Sequence, residues 1–386
     1  MSRFGGDEFV ILLKGITEPA NACHVADRIL AVLSEPLSLR GHQVTLSASI
    51  GIAVGAEGES CADDLLRDAD TAMYQAKSNG KSRWSLFDQS MRAQAVERLS
   101  LEADLKMGLK RGEFRVYYQP IVELPTGHIK GFEALLRWNH ATRGFVSPAE
   151  FVPIAEEIGF IVELGAWVLE QACRQVRTWQ QNYPAHSSLF MSVNVSTKQF
   201  GDPRLVDRVK ECLVRTGLDG RCLKLEITES AIMADPHVAA QTLEQLRALG
   251  VQISLDDFGT GYSSLSYLQS FKIDTLKIDR SFISRMGNSD ESNEIVRTIV
   301  NLAHNLGMEV TAEGIEEQSQ HSQLQAIACE SGQGYLYSRP VPGASVEELL
   351  RDSQRDMAPD RWVATNAPGE ILDDVLGVSE LLLTHA

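Results

Sequence analysis

Val251-Gln252-Ile253-Ser254-Leu255-Asp256-Asp257-Phe258-Gly259-Thr260-Gly261-Tyr262-Ser263-Ser264 runs from apolar alternation into two adjacent acids and then two glycines. The alternation reads as a buried strand. Two carboxylates side by side at its end raise each other's pKa unless a cation or donor neutralises them. The glycines allow a sharp turn, and Ser263 or Ser264 can cap a following helix. On its own the stretch fits an ordinary strand-to-helix turn with a solvated Asp pair equally well. The neighbouring strands decide between the two.

Upstream, Phe114–Val122 and Ile129–Trp138 are joined by a connection carrying Pro125 and Gly127, far too short for a helical crossover, so they pair antiparallel. Further strands fall near 189–196, 222–228, 251–256, 274–279, 308–313 and 332–337. Helical patterns separate them over 161–182, 203–216, 236–249, 292–306 and 316–328, and a last helix follows near 345–355. Two strands plus six make eight. The expected fold is α/β, a modified TIM (βα)8 barrel with one antiparallel strand.

Strand phase singles out a residue set. Side chains alternate between faces, so Glu133 shares a face with Arg137, opposite Phe132, Ala134 and Leu136. Asn194, Glu226, Asp256, Lys277 with Asp279, and Glu313 stand likewise near strand ends, opposite aliphatic neighbours. The C-terminal end of a (βα) barrel is where active sites lie. One strand-end acid is commonly a solvated loop residue or a helix cap; six strands in phase are not. Glu133, Glu226, Asp256, Asp257 and Glu313 converging with Asn194 need cations, and oxygen-only ligation suits Mg²⁺ or Mn²⁺ rather than Zn²⁺. Two such ions are the usual apparatus of phosphodiester hydrolysis.

The rest of the composition narrows the class. A net charge of −16 over 386 residues argues against a nucleic acid polymer as partner. No apolar run approaches the ~20 residues that cross a bilayer, so no membrane contact is expected of this chain. Asp7 and Glu8 interrupt the first apolar stretch, which therefore does not read as a signal peptide. Six cysteines without CxxC or metal spacing read as reduced thiols of a cytoplasmic protein.

Two resemblances follow. Glu133-Ala134-Leu135 with Leu136-Arg137, Asn194-Val195-Ser196, Glu226 to Ser230, Asp256-Asp257-Phe258-Gly259-Thr260-Gly261, Lys277-Ile278-Asp279, Ala312 to Glu316 and Gln333-Gly334-Tyr335 resemble the ordered motifs of EAL-domain phosphodiesterases. That resemblance spans roughly 95–355 and implies hydrolysis of cyclic di-GMP to linear pGpG. It implies one metal on Glu133, Asn194, Glu226 and Asp256, and a second on Asp256, Asp257 and Glu313. Lys277 would orient or activate the attacking water, and Arg137 would contact phosphate. Gln119, Asp279 and Gln333 would bind substrate, with Glu316 and Gln333 near the metal waters. Glu229, out of phase with Glu226, would brace the loop 258–264; as a charge alone it equally suits a helix N-terminus. A homodimer through this domain is also implied, and Ca²⁺ is expected to inhibit. The departures are small: Ile315 stands where valine is commoner, and Tyr337 where phenylalanine is frequent.

Gly5-Gly6-Asp7-Glu8-Phe9, with Ser47–Ala53, Ala69–Lys77 and Gly80–Arg83, is similar to the GGDEF (diguanylate cyclase) family. The family's first half, with its other metal-binding Asp, is missing from this chain, so no cyclase activity is expected. The expected organisation is a partial GGDEF domain over 1–88, a linker helix over 89–112, the barrel over 113–355 and a tail over 356–386. The competing reading is a catalytically silent cyclic di-GMP receptor that signals through the glycine loop.

Overall fold

Each inner strand carries aliphatic residues on alternate positions, and these set the architecture. In the computed structural model, which describes residues 1–16, 18–39, 42–55, 61–259, 271–287 and 289–353, the chain divides into two units between Ala103 and Asp104.

The first unit holds β1 (Ser2–Gly5) and β2 (Glu8–Val10), a hairpin turning at Gly6 with φ +51°. Next come a helix at Pro19–Ser34, β3 (Leu37–Leu39) antiparallel to β4 (His42–Val44), and β5 (Ile50–Ile52). A second helix, Ala62–Ser78, precedes β6 (Trp84–Leu86), which runs parallel to β5. The core of β5, β6 and the first helix is thin, built on Ala22, Ala26 and Ile52, while Phe4, Phe9 and Leu12 stand exposed. A helix then spans Gln89–Arg111 and stops at Gly112, whose φ of +66° suits the position after a helix end.

In the second unit, β7 (Phe114–Glu123), β8 (Ile129–His140), β10 (Phe190–Val195), β11 (Leu223–Thr228), β12 (Gln252–Phe258), β13 (Thr275–Ile278), β14 (Glu309–Ala312) and β15 (Ser331–Gly332) close into an eight-stranded barrel. Two short strands, β9 (Gly144–Val146) and β16 (Val341–Pro342), extend it at β8 and β7. β7 is antiparallel to both neighbours and every other barrel pair is parallel, so one strand is reversed.

Val193, Leu225, Ile227, Ile253, Leu255, Leu276, Ile278, Val310 and Ala312 are buried in the core shared with the surrounding helices. The helix Ile161–Asn182 contributes Val168, Ala172, Val176 and Trp179, spaced by three or four residues so that they share one face. Trp179 meets Tyr118 edge-on at 4.9 Å and Phe132 at 5.1 Å. With these outward faces spent on packing, the alternate positions face the barrel interior.

Three expectations need adjustment. The strand expected at 332–337 is only Ser331–Gly332. A Cβ on Gly334 would lie 2.1 Å from the Ile315 carbonyl oxygen, and Tyr337 N–H bonds back to Gly334, so the chain turns there instead of extending. The stretch near 44–54, which reads in sequence as one strand, is two short strands in different sheets, because β4 pairs with β3 while β5 pairs with β6. The helix Pro148–Glu157 was not anticipated; Pro153 within it masks its pattern. The loop 260–264 and the tail 356–386 lie outside the described residues.

Candidate active site

Every barrel strand sends a polar side chain to one place. Lys277, at the inner phase of β13 and almost wholly buried, is its centre. Its Nζ lies 2.6 Å from Glu226 Oε2, 2.5 Å from Glu313 Oε1, 3.1 Å from Asp256 Oδ1 and 3.9 Å from Glu133 Oε1. Glu133 accepts from Asn194 Nδ2 at 2.6 Å and from Gln333 Nε2 at 2.5 Å. Gln333 also donates to Gln119 Oε1 at 2.8 Å, which brings in the reversed strand.

Register explains the convergence. Asn194 lies beside Glu226, and Gln119 beside Glu133. Asp256 and Asp257 are consecutive, so a regular strand would aim them at opposite faces. The register breaks between Leu255 and Phe258, and Asp257 takes φ +53°, a left-handed conformation that Asp tolerates.

Four carboxylates around one ammonium leave a net charge of about −3 if all are ionised. Burial, then the neighbouring Glu133, pushes the Glu226 carboxyl up to about 8. Burial and Asp256 push Asp257 up to about 7. Glu313 is raised well above its ordinary range by burial, against the pull of Lys277. Burial opposes ionisation of Glu133 too, yet Lys277 and the donors Gln333 and Asn194 carry it below the usual value. Burial would lower Lys277, but the surrounding acids outweigh it and hold the ammonium charged. Among the described residues, no three Asp, Glu, His or Cys side chains are gathered as an ion would require; the acids turn to Nζ of Lys277.

The other expected residues divide. Arg137 is buried, with its guanidinium 5.7 Å from the Tyr117 ring centroid and Nη1 donating to Leu136 O at 2.9 Å. Gln119 Nε2 donates to Ser338 O at 3.1 Å. Asp279 caps the helix Arg280–Ile283, accepting from Ser281 N–H at 2.9 Å. Glu316 pairs with Arg280 at 3.1 Å and is not among the acids in contact with Lys277. Glu229 opens the helix Glu229–Met233 behind the cap Thr228, and the loop it was expected to brace is largely outside the described residues. Sequence reasoning missed Arg280 and Ser192, whose hydroxyl donates to Glu226 Oε1. The repeated phase two residues before each site residue was the available signal for Ser192.

The model of the EAL domain matches residues 102–340. The chain belongs to the EAL domain family. The model described as diguanylate cyclase, GGDEF domain, matches residues 1–83 ahead of the EAL domain. The bifunctional diguanylate cyclase/cyclic di-GMP phosphodiesterase MucR of Pseudomonas aeruginosa is 43% identical over 91% of this chain and 50% of its own length. Cyclic di-GMP phosphodiesterase NbdA of the same organism is 39% identical over 93% of the chain and 46% of its length. The chain thus spans about half the length of these curated relatives. Among solved structures, the MucR phosphodiesterase in complex with c-di-GMP covers 64% of this chain and 99% of its own, at 43% identity and TM-score 0.62. The EAL domain of Xanthomonas citri FimX, also with c-di-GMP, covers 65% and 97%, at 27% identity and TM-score 0.59. Among the described residues no helix is long and apolar enough to cross a membrane.

Proposed function

We propose that this EAL domain hydrolyses cyclic di-GMP to linear pGpG with two Mg²⁺ or Mn²⁺ ions at the C-terminal mouth of its barrel. The observation that carries the reading is the gathering of Glu133, Glu226, Asp256 and Glu313, from separate strands, on one ammonium that cannot balance them. The excess negative charge and the oxygen-only donors fit hard divalent cations. Glu133, Asn194, Glu226 and Asp256 would hold one ion; Asp256, Asp257 and Glu313 the other. Bound there, the ions supply Lewis-acid polarisation of the phosphate and a hydroxide at neutral pH.

The side chains do the rest. Lys277 keeps its proton and directs a hydrogen bond to the attacking water. Arg137 holds the phosphate, and its stacking on Tyr117 limits its freedom. Gln119, Asp279 and Gln333 orient the substrate, Glu316 orders water at the mouth, and Glu229 braces the glycine loop. Residues 1–88 carry the GGDEF match, 89–112 link them to the barrel over 113–355, and 356–386 follow the barrel. The domain works in the cytoplasm as a homodimer through the EAL domain, with cyclic di-GMP as its partner and neither nucleic acid polymer nor membrane. Ca²⁺ inhibits, because its larger and looser coordination shell does not hold the reacting groups in place.

The test is cyclic di-GMP consumption by the purified chain in Mg²⁺ or Mn²⁺, followed by chromatography, with Ca²⁺ as control. Appearance of pGpG that stops in Ca²⁺ supports the reading. Tight binding without product would make the domain a receptor.

A further inference from the structure

Beneath the acids lies a layer of hydroxyls. Ser192, Ser254, Thr275, Thr311 and Ser331 stand two residues before Asn194, Asp256, Lys277, Glu313 and Gln333, and all five are buried. Ser192 and Ser254 stand on the strands either side of Glu226, Ser254 in register with it and Ser192 one pair earlier on the same face, but they differ in use. Ser192 Oγ donates to Glu226 Oε1, and the second oxygen, Oε2, accepts from Lys277. Ser254 Oγ is buried with no hydrogen-bond partner among the described residues. Thr275 is engaged from below by Lys224 Nζ at 2.8 Å.

We infer that Ser192 is a positioning residue, whose hydroxyl fixes the Glu226 carboxylate for cation binding from the barrel interior. The inference rests on the proposed two-ion reading and extends it inward by one layer. A glutamate has three side-chain torsions to order, and a hydroxyl bound to one oxygen settles them before the ion arrives. Ser254 matches Ser192 in burial and layer without touching a carboxylate, so it separates a hydrogen-bonding role from simple packing.

The experiment is Mn²⁺ titration of the full chain, read by electron paramagnetic resonance of free Mn²⁺, beside melting in EDTA. Ser192→Ala should weaken Mn²⁺ binding about tenfold or more, the range of outer partners of metal ligands. Ser254→Ala should stay within about threefold of wild type, since it removes a hydroxyl that bonds nothing. If Ser192→Ala does not fold, Ser192→Cys, of similar volume with a weak donor, should show the same loss. Unchanged Mn²⁺ affinity in a folded Ser192 variant overturns the inference, as does an equal loss in Ser254→Ala. A wild-type chain that binds no Mn²⁺ overturns the two-ion reading itself, and Ser192's role with it.

Discussion

Nζ of Lys277 donates to Oε2 of Glu226 at 2.6 Å, with both side chains almost wholly buried. Removing Lys277 leaves four acids in the barrel without their shared counter-charge, a kind of loss that typically costs about 3–5 kcal/mol. Removing Glu226 instead leaves the ammonium facing Glu313, Asp256 and Glu133. Lys277 also stands over the other acids, so it can serve both stability and chemistry.

Lys277→Ala should lower kcat by about 10²-fold or more while KM stays within a few-fold, as expected for a group acting on the reacting water. Steady-state kinetics with cyclic di-GMP separates the two. A raised KM at native kcat would make Lys277 a binding residue.

Glu133→Ala should abolish turnover and remove one Mn²⁺ equivalent from the titration. It also deprives Asn194 and Gln333 of their shared acceptor. Activity within a few-fold of wild type would sink the metal assignment.

The metal-free chain should lose stability as pH rises from about 5 to about 8. Glu226 is raised from 4.5 to about 8 and Asp257 from 3.8 to about 7, so the folded state holds protons that the unfolded state has released. Their stabilising contribution is complete below the unfolded values and disappears through the folded ones. Glu133, shifted the other way, acts only below its ordinary range. Melting in EDTA across this window checks the sign, and added Mn²⁺ should flatten the slope because it replaces the protons.

Gly334→Ala should cost about 1–3 kcal/mol or more, since the new methyl meets the Ile315 backbone at 2.1 Å. Gln333 is its neighbour, so Mn²⁺ affinity should fall alongside the melting temperature. Native melting with native affinity would mean that the turn accommodates the methyl.

Tyr337→Phe should destabilise the chain by about 1 kcal/mol and leave kcat unchanged. The Tyr337 hydroxyl pairs with His321 Nδ1 at 2.8 Å in the buried packing beyond β15. A drop in kcat at native stability would connect this pair to the reaction.

The barrel was legible because alternation survives in sequence. Glu133, Asn194, Glu226, Asp256 and Lys277 each sit opposite aliphatic neighbours, and closure of eight strands forces such residues inward. The stretch 333–337 was misread because close packing of Gly334 on Ile315 leaves no mark in local propensity. Glu316 shows the same limit: its pairing with Arg280 joins positions 36 apart, which no periodicity reports.

The sequence by itself determined which face of the barrel strands is polar, that eight strands form the barrel, and that one is reversed, because these depend on neighbours along the chain. Tertiary structure decided the partners. The register of β10 against β11 sets Asn194 beside Glu226 and Ser192 one pair earlier on the same face, from where its hydroxyl reaches Glu226. Ser254, beside Glu226 on β12, has no hydrogen-bond partner among the described residues, and the break in β12 turns Asp257 out of strict alternation. Hydrogen bonds act over about 3 Å, and only the closed barrel brings side chains from distant strands within that distance.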